Sequence, residues 1–466
     1  MVKSWAISGV DLHLEVGETR GRSSFEKAVR SAVQSGRLRP QTRLPSSRSL
    51  AADLGIARNT VAEAYAQLVA EGWLAARTGS GTWVTDRATP AGRQRRTDRV
   101  TPRPLRYDLT PGTPDVSSFP RAAWLAAARR AVTNAPSDLF GYGDPRGSRA
   151  LREEVAGYLA RARGVRADPE NVVICSGFIQ GLGLVARVLK NRGAATITIE
   201  QDGHRLHREV IADAGVRVRT LPVDAAGAQI DLLADPGAVV LTPAHQFPHG
   251  VPLAPDRRLG VVRWAANTGS VVIEDDYDGE FRYDRQAIGA LQPLAPDHVV
   301  YAGTVSKTLA PGVRLGWLVV PPRLLADLVA VKRTSDGPHG AIDQVTLAQL
   351  IRSGGYDRHV RQRRLVYRRR REHLVTSLRR HAPWVEVHGV AAGLHAVLAL
   401  PPGITEQTAV EKAARAGVAI AGLGDHHLGR RRSRASGVVV SFGTPPDHDY
   451  STAIARLCAA LADLAH

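Results

Sequence analysis

The stretch from Val299 to Trp317 limits what this 466-residue chain can be. It opens with an apolar run of strand type, Val299-Val300-Tyr301-Ala302, and breaks into a loop of small and hydroxyl residues. A second apolar run, Leu315 to Val320, follows and is closed by Pro321-Pro322. Lys307 and Arg314 stand seven residues apart between the runs. The lysine is the telling one, because 56 of the 62 basic residues are arginine. Arginine cannot lose its proton and form an imine, whereas lysine can once burial or neighbours lower its pKa. A lone lysine in a polar loop would ordinarily be a surface residue. One held in a Ser/Thr/Gly loop between two buried strands offers what an aldehyde cofactor needs.

From Tyr107 onward strand and helix patterns alternate, the mark of a mostly parallel sheet with helices on both faces. Val172–Cys175 reads as a strand, and Ser176-Gly177-Phe178 turns directly into a helix reaching Lys190. A helix N-terminus after a glycine turn is a ready phosphate seat, although any first βα unit would look the same. Glycines at 177, 181 and 183 make no dinucleotide fingerprint and no GKS/T follows, which disfavours a nucleotide. Thr196–Glu200 is the next strand and leads to His204. Val239–Thr242 leads to Pro243-Ala244-His245-Gln246-Phe247-Pro248-His249-Gly250. His245 and His249 have an H-x-x-x-H spacing, but Pro248 argues against the helix that would put both on one face, so no metal is expected. Val271-Val272-Ile273 runs into the acidic segment Glu274-Asp275-Asp276-Tyr277-Asp278.

The N-terminal part has a different grammar. Phe25, Ala28, Val29, Ala32 and Val33 recur at helical spacing within 20–40. Ser46 or Ser47 can cap a short helix ending at Gly55. A tight turn then leads to a third helix from Arg58 to Val69, with Val61, Tyr65, Leu68 and Val69 inward and Arg58, Asn59 and Thr60 projecting from its start. Trp73–Ala76 and Thr82–Val84 flank Gly79-Ser80-Gly81, a hairpin signature. Helix, helix, turn, helix and hairpin make a winged helix-turn-helix.

These segments carry two resemblances. Pro45-Ser46-Ser47-Arg48, Arg58-Asn59-Thr60-Val61 and Gly79-Ser80-Gly81-Thr82 resemble the GntR superfamily DNA-binding domain. That likeness implies DNA contacts from Ser47, Arg48, Arg58, Asn59 and Thr60, with Arg77 and Gly79 in the wing. Thr304-Val305-Ser306-Lys307-Thr308-Leu309-Ala310-Pro311-Gly312-Val313-Arg314 resembles the Schiff-base segment of fold type I aminotransferases, which carry pyridoxal 5′-phosphate (PLP). It implies PLP as cofactor, a Schiff base on Lys307, and phosphate contacts from Gly177, Phe178, Thr304, Ser306 and Arg314. It further implies that Asp275 pairs with the pyridinium nitrogen, that Tyr277 bonds the phenolic oxygen, and that His204 lies over the ring. Tyr142 matches a tyrosine that reaches the partner subunit's phosphate, which implies a homodimer. The pattern departs from the family at three places. Phe247 replaces an asparagine, His249 replaces a threonine, and Gly437-Val438-Val439-Val440-Ser441-Phe442-Gly443 lacks the arginine that holds a substrate carboxylate. Arg430–Arg434 lies just upstream.

Charge agrees with two functions in one chain. Residues 1–106 hold 18 Lys+Arg against 9 Asp+Glu, and the remainder 44 against 35, so under a quarter of the chain carries half of the net +18. That points to a polyanion partner for the N-terminal part. Residues 86–106 are rich in Arg, Pro and Thr without apolar periodicity and read as a linker. Residues 357–380 read as a long basic helix, with a solvated face preferred to DNA contact. Two cysteines give no disulfide framework, and no apolar run approaches the ~20 residues of a membrane span. A reducing, cytoplasmic setting without membrane contact is expected.

The expected fold class is α/β: a winged helix-turn-helix over 1–85, the linker 86–106, and over 107–466 an aminotransferase-like domain with a large parallel-sheet part and a smaller α/β C-terminal part. The whole resembles the MocR/GabR subgroup of bacterial transcription regulators. That implies a homodimer binding a double-stranded DNA operator and sensing a small-molecule effector, either PLP itself or an amine or amino acid, with transaminase activity weak or absent. An active aminotransferase with an accessory DNA-binding domain is the first alternative. A DNA-binding protein with an empty vestigial domain is the second.

Overall fold

Phe25, Val29, Ala32 and Val33 fall on one face of the helix Arg22–Gln34, and all four are buried. In the computed structural model the described residues are 22–77, 81–86, 105–233, 236–283, 288–429 and 436–464. The chain divides into two compact units, Met1–Pro102 and Arg103–His466. In the first, Ser46 caps the helix Ser47–Leu54 by accepting from the Ser49 amide, and Gly55 ends it in the left-handed region at φ 66°. The next helix, Arg58–Ala70, buries Val61, Ala64, Tyr65 and Leu68. The Tyr65 hydroxyl donates to the Pro45 carbonyl at 3.0 Å, which ties this helix to the turn before its predecessor. Strands Leu74–Arg77 and Gly81–Val84 pair antiparallel, and Arg43–Leu44 adds a third strand beside Gly81–Val84. The first hairpin strand is shifted by one residue from the expected Trp73–Ala76, and the second begins one residue before the expected Thr82–Val84. Gly79 lies outside the described residues, as do 87–104 of the expected linker.

In the second unit a seven-stranded sheet runs, in spatial order, Val172–Cys175, Gly316–Val319, Val299–Thr304, Val271–Asp275, Ala238–Leu241, Thr196–Glu200 and Arg217–Leu221. The last five are mutually parallel and Gly316–Val319 is antiparallel to both of its neighbours. An alternation pattern does not reveal that reversal, because a strand buried on both faces looks the same in either direction. These strands are near-continuous apolar runs, and helices including Phe178–Asn191, Pro255–Thr268 and Ala341–Arg352 pack buried apolar residues against them. The 27-residue helix Gly355–His381 leads into the smaller part. There Glu386–His388, His395–Ala399, Gly437–Ser441 and Ala421–Gly422 form an antiparallel sheet backed by Asp447–Ala462. The geometry that matters is common to open parallel sheets. Glu200, Asp275 and Thr304 each stand at the C-terminal end of a parallel strand, where the crevice opens.

Candidate functional site: a lysine pocket and a DNA-reading head

A pocket at those strand ends is lined by Gly112, Gly177, Phe178, His204, Asp275, Tyr277, Thr304, Ser306, Lys307 and Arg314, among others. Nine of the ten residues expected at the cofactor site are thus brought together. The tenth, Tyr142, is fully exposed and does not line the pocket of its own chain.

Lys307 follows the strand Val299–Thr304 and its ammonium group donates to the Gly112 carbonyl, 195 residues away in sequence. Burial pushes its pKa down, while the carboxylates of Asp278 and Asp275 pull it back up. Asp275 is buried, and its carboxylate has no hydrogen-bond or ion-pair partner among the described residues. Burial, reinforced by the charge of Asp276, pushes the Asp275 carboxyl well above the usual carboxylate range, with Lys307 opposing. A buried acid of this kind suits a cationic nitrogen held against it.

The other end of the pocket is built for an anion. Gly177 precedes the helix Phe178–Asn191 with φ 114°, a conformation that favours glycine. A Cβ there would sit 3.9 Å from the Thr304 hydroxyl and 4.0 Å from an Arg314 nitrogen, so the helix start lies between them. Gly316 lets the two loops close up, since a Cβ on it would come within 2.9 Å of the Gly177 Cα. The Thr304 and Ser306 hydroxyls are 2.8 Å apart. Arg314 extends a guanidinium nitrogen to the Ser176 hydroxyl at 3.5 Å and has no carboxylate partner among the described residues. Its backbone is left-handed at φ 54°, a costly state for a residue other than glycine. The start of the helix Phe178–Asn191, two hydroxyls and an arginine without a carboxylate partner thus lie together at this end of the pocket, a set able to hold an anion.

The departures from the family pattern have structural explanations. His204 and Phe247 stack on each other with centroids 5.3 Å apart and an interplanar angle of 16°. His204 therefore reaches the pocket as half of a stacked aromatic pair. His249 reaches the Asp202 carboxylate at 2.9 Å, and His427 takes the other oxygen at 2.7 Å. His245 belongs elsewhere: its Nδ1 lies 2.9 Å from Asp278 and 3.1 Å from the Tyr277 hydroxyl. The H-x-x-x-H spacing thus splits between two acids. His245, Asp278 and His395 do bring potential ligand atoms within 4.8 Å of one another. Hydrogen bonding accounts for the group, since His245 pairs with Asp278 and His395 Nε2 donates to the Pro248 carbonyl at 3.0 Å. Asp278, Asp202 and Gly112 carry no local signal in the sequence that would have assigned them to this site. Ser441, in the run 437–443 that holds no arginine, lines the pocket, and Arg430–Arg434 lies outside the described residues. Among the described lining residues, Lys307 and Arg314 are the only lysine or arginine.

In the first unit Arg48, Arg58 and Asn59 are exposed, Ser47 and Thr60 half-buried, and Arg77 exposed at the end of its strand. Arg48, Arg58 and Arg77 have no ion-pair partner among the described residues. Arg58, Asn59 and Thr60 form the first turn of their helix, the part that meets base edges in a helix-turn-helix.

Comparison with known proteins follows this division. Residues 23–84 match the family described as bacterial regulatory proteins, gntR family, and residues 108–424 match aminotransferase class I and II. The chain is 33% identical over 435 residues to the HTH-type pyridoxine biosynthesis transcriptional regulator PdxR of Corynebacterium glutamicum, covering 92% of this chain and 93% of that protein. It is 32% identical to the probable rhizopine catabolism regulatory protein MocR of Rhizobium meliloti, covering 81% and 80% of the two chains. The fold of the second unit is that of the kynurenine aminotransferase of Pyrococcus horikoshii, with a TM-score of 0.70, 24% identity, and coverage of 79% of this chain and 93% of that one. The chain belongs to the aminotransferase class I and II family, joined to a gntR-family DNA-binding domain as in the HTH-type transcriptional regulators, and is a DNA-binding transcription regulator.

Proposed function

We propose that this regulator takes PLP on Lys307 and that the occupancy of that site is the signal its winged helix passes to an operator. The observation that carries the reading is the pairing, in one pocket, of a half-buried lysine with a buried, unpartnered carboxylate at Asp275 and an anion cradle at Gly177, Thr304, Ser306 and Arg314. When bound, PLP supplies an aldehyde for the lysine and a ring that withdraws electrons. The protein's part is to hold it: Asp275 as counter-charge to the ring nitrogen, Tyr277 as donor to the phenolic oxygen, the His204–Phe247 pair as the wall over the ring, and the cradle on the phosphate.

PLP as the sensed molecule is favoured over an amino acid because Ser441 faces the pocket where a substrate carboxylate would need an arginine. The relative named for pyridoxine biosynthesis agrees with this direction. Control of vitamin B6 metabolism is the corresponding output, and transamination of common amino donors is expected to be weak or absent. A homodimer is supported by Tyr142, which stands fully exposed, and by further uncovered apolar side chains at Leu125, Phe140 and Ile342. Ser47, Arg48, Arg58, Asn59 and Thr60, with Arg77 and Gly79 in the wing, are the proposed DNA contacts.

Titration of the purified protein with PLP, followed by its visible absorbance, tests the cofactor. Wild type should develop the band of a lysine-bound aldehyde. Asp275→Asn should hold PLP more weakly and shift the band, because the ring nitrogen loses its counter-charge. An identical band and affinity in the variant would remove Asp275 from the site.

A further inference from the structure

The helix Gly355–His381 contains ten arginines in 27 residues, against 56 in 466 for the whole chain, and only two acids, Asp357 and Glu372. An arginine-rich composition does not account for a threefold enrichment. Burial divides the ten. Arg363 and Arg370 are buried against Asp115 and Asp447, and Arg364 donates to the Glu280 carbonyl, so these serve the fold. Arg371 is half-buried and engaged. Arg358, Arg361, Arg368, Arg369, Arg379 and Arg380 are exposed. At 3.6 residues per turn these six fall within an arc of roughly 120° and span about 33 Å along the axis. Arg368 pairs with Glu372 at 2.9 Å and Arg358 donates to the Ser353 carbonyl at 3.3 Å. Arg361, Arg369, Arg379 and Arg380 have no partner among the described residues.

A solvated helix face ordinarily mixes signs, and a stripe of one sign is a field that draws a polyanion. We infer that the exposed arginine stripe of this helix is a second DNA-binding surface, gripping the phosphate backbone outside the sequence read by the winged helix. The stripe is about as long as one turn of duplex, so several arginines can meet successive phosphates, each with its forked donors. Duplex DNA is the occupant rather than an acidic protein because the same chain carries a gntR-family domain. That domain holds DNA at high effective concentration near anything tethered to it. The inference rests on the reading that the winged helix binds DNA.

The test uses full-length protein and two duplexes: the operator alone, and the operator with about 40 flanking base pairs on each side, a length that exceeds the roughly 10-base-pair turn the stripe spans. The variant is R361Q/R369Q/R379Q/R380Q. The control is R217Q/R263Q/R333Q/R456Q, which removes the same charge at four exposed arginines elsewhere. Wild type should bind the flanked duplex more tightly, with a steeper slope of log K against log salt. The helix variant should lose that excess, its slope falling by about 0.9 for each phosphate contact removed, up to about 3.6, while the control keeps it. Binding to the operator alone should be unchanged. The inference is overturned if the helix variant behaves like wild type or the control on flanked DNA, or loses affinity equally on both duplexes. Arg58→Ala reports separately on the winged helix, since it should lose operator preference on both.

Discussion

Nδ1 of His245 donates to the carboxylate of Asp278 across 2.9 Å, with both side chains buried. The Tyr277 hydroxyl lies 3.1 Å from the same nitrogen, and burial with the neighbouring carboxylates keeps that hydroxyl protonated. Asp278→Ala would remove the buried imidazole's carboxylate partner and leave it only the Tyr277 hydroxyl. A loss of about 1–3 kcal/mol in unfolding free energy is expected, read by chemical denaturation, together with weaker PLP retention. Unaltered stability would mean that the contact contributes little.

Lys307 should carry the cofactor. Lys307→Ala should abolish the visible band, and borohydride reduction followed by peptide mapping should put the label on Lys307. Lys332 is a poor competitor, being fully buried and paired with Asp336 at 2.9 Å. A label on Lys332 or Lys190 would defeat the assignment.

Glu200 should give the fold a pH dependence. It is buried at the end of its strand, accepts from the Thr242 hydroxyl at 2.5 Å, and burial pushes its carboxyl up to about 7. The unfolded chain ionises this group at ordinary carboxylate pH, while the folded chain keeps the proton until about 7. Its contribution is therefore fully present below about pH 4 and fades as pH rises toward 7. Glu200→Gln should flatten the thermal midpoint between pH 5 and 7 by an amount worth at most about 3 kcal/mol. An unchanged profile would assign the ionisation elsewhere.

Arg58 and Arg77 should differ on DNA. Arg58→Ala should cost about 1–3 kcal/mol on the operator while sparing salt-dependent binding to scrambled DNA. Arg77→Ala should weaken both alike and lower the salt slope by about one contact. Gel shifts at several salt concentrations separate the two, and equal losses on both DNAs for Arg58→Ala would show that its helix does not read sequence.

What could be read from the sequence was local. Lys307 and Arg314 lie between two apolar runs that read as strands, whereas Asp275 and Tyr277 are singled out within their acidic segment by the resemblance and not by the local pattern. The Ser46 cap and Gly55 stop are local signals of the first unit. What could not be read was distant. His427 meets Asp202 across 225 residues and Gly112 meets Lys307 across 195. The reversed strand Gly316–Val319 was hidden because burial on both faces erases direction. His245 and His249 suggested each other only through spacing, and tertiary structure gave each its own acid.

Arg314 sets two demands against each other. Its left-handed backbone costs roughly 1–2 kcal/mol that glycine would not incur, and its exposed guanidinium meets no carboxylate in return. Without cofactor Arg314→Gly should therefore be no less stable than wild type, and more stable by up to about 1 kcal/mol of unfolding free energy after the glycine's own chain entropy is counted. With PLP present the ranking should invert, because only the arginine gains from the phosphate. A thermostability screen run on cofactor-free protein would thus favour variants that have lost the proposed phosphate clamp. The same screen run in PLP would discard them.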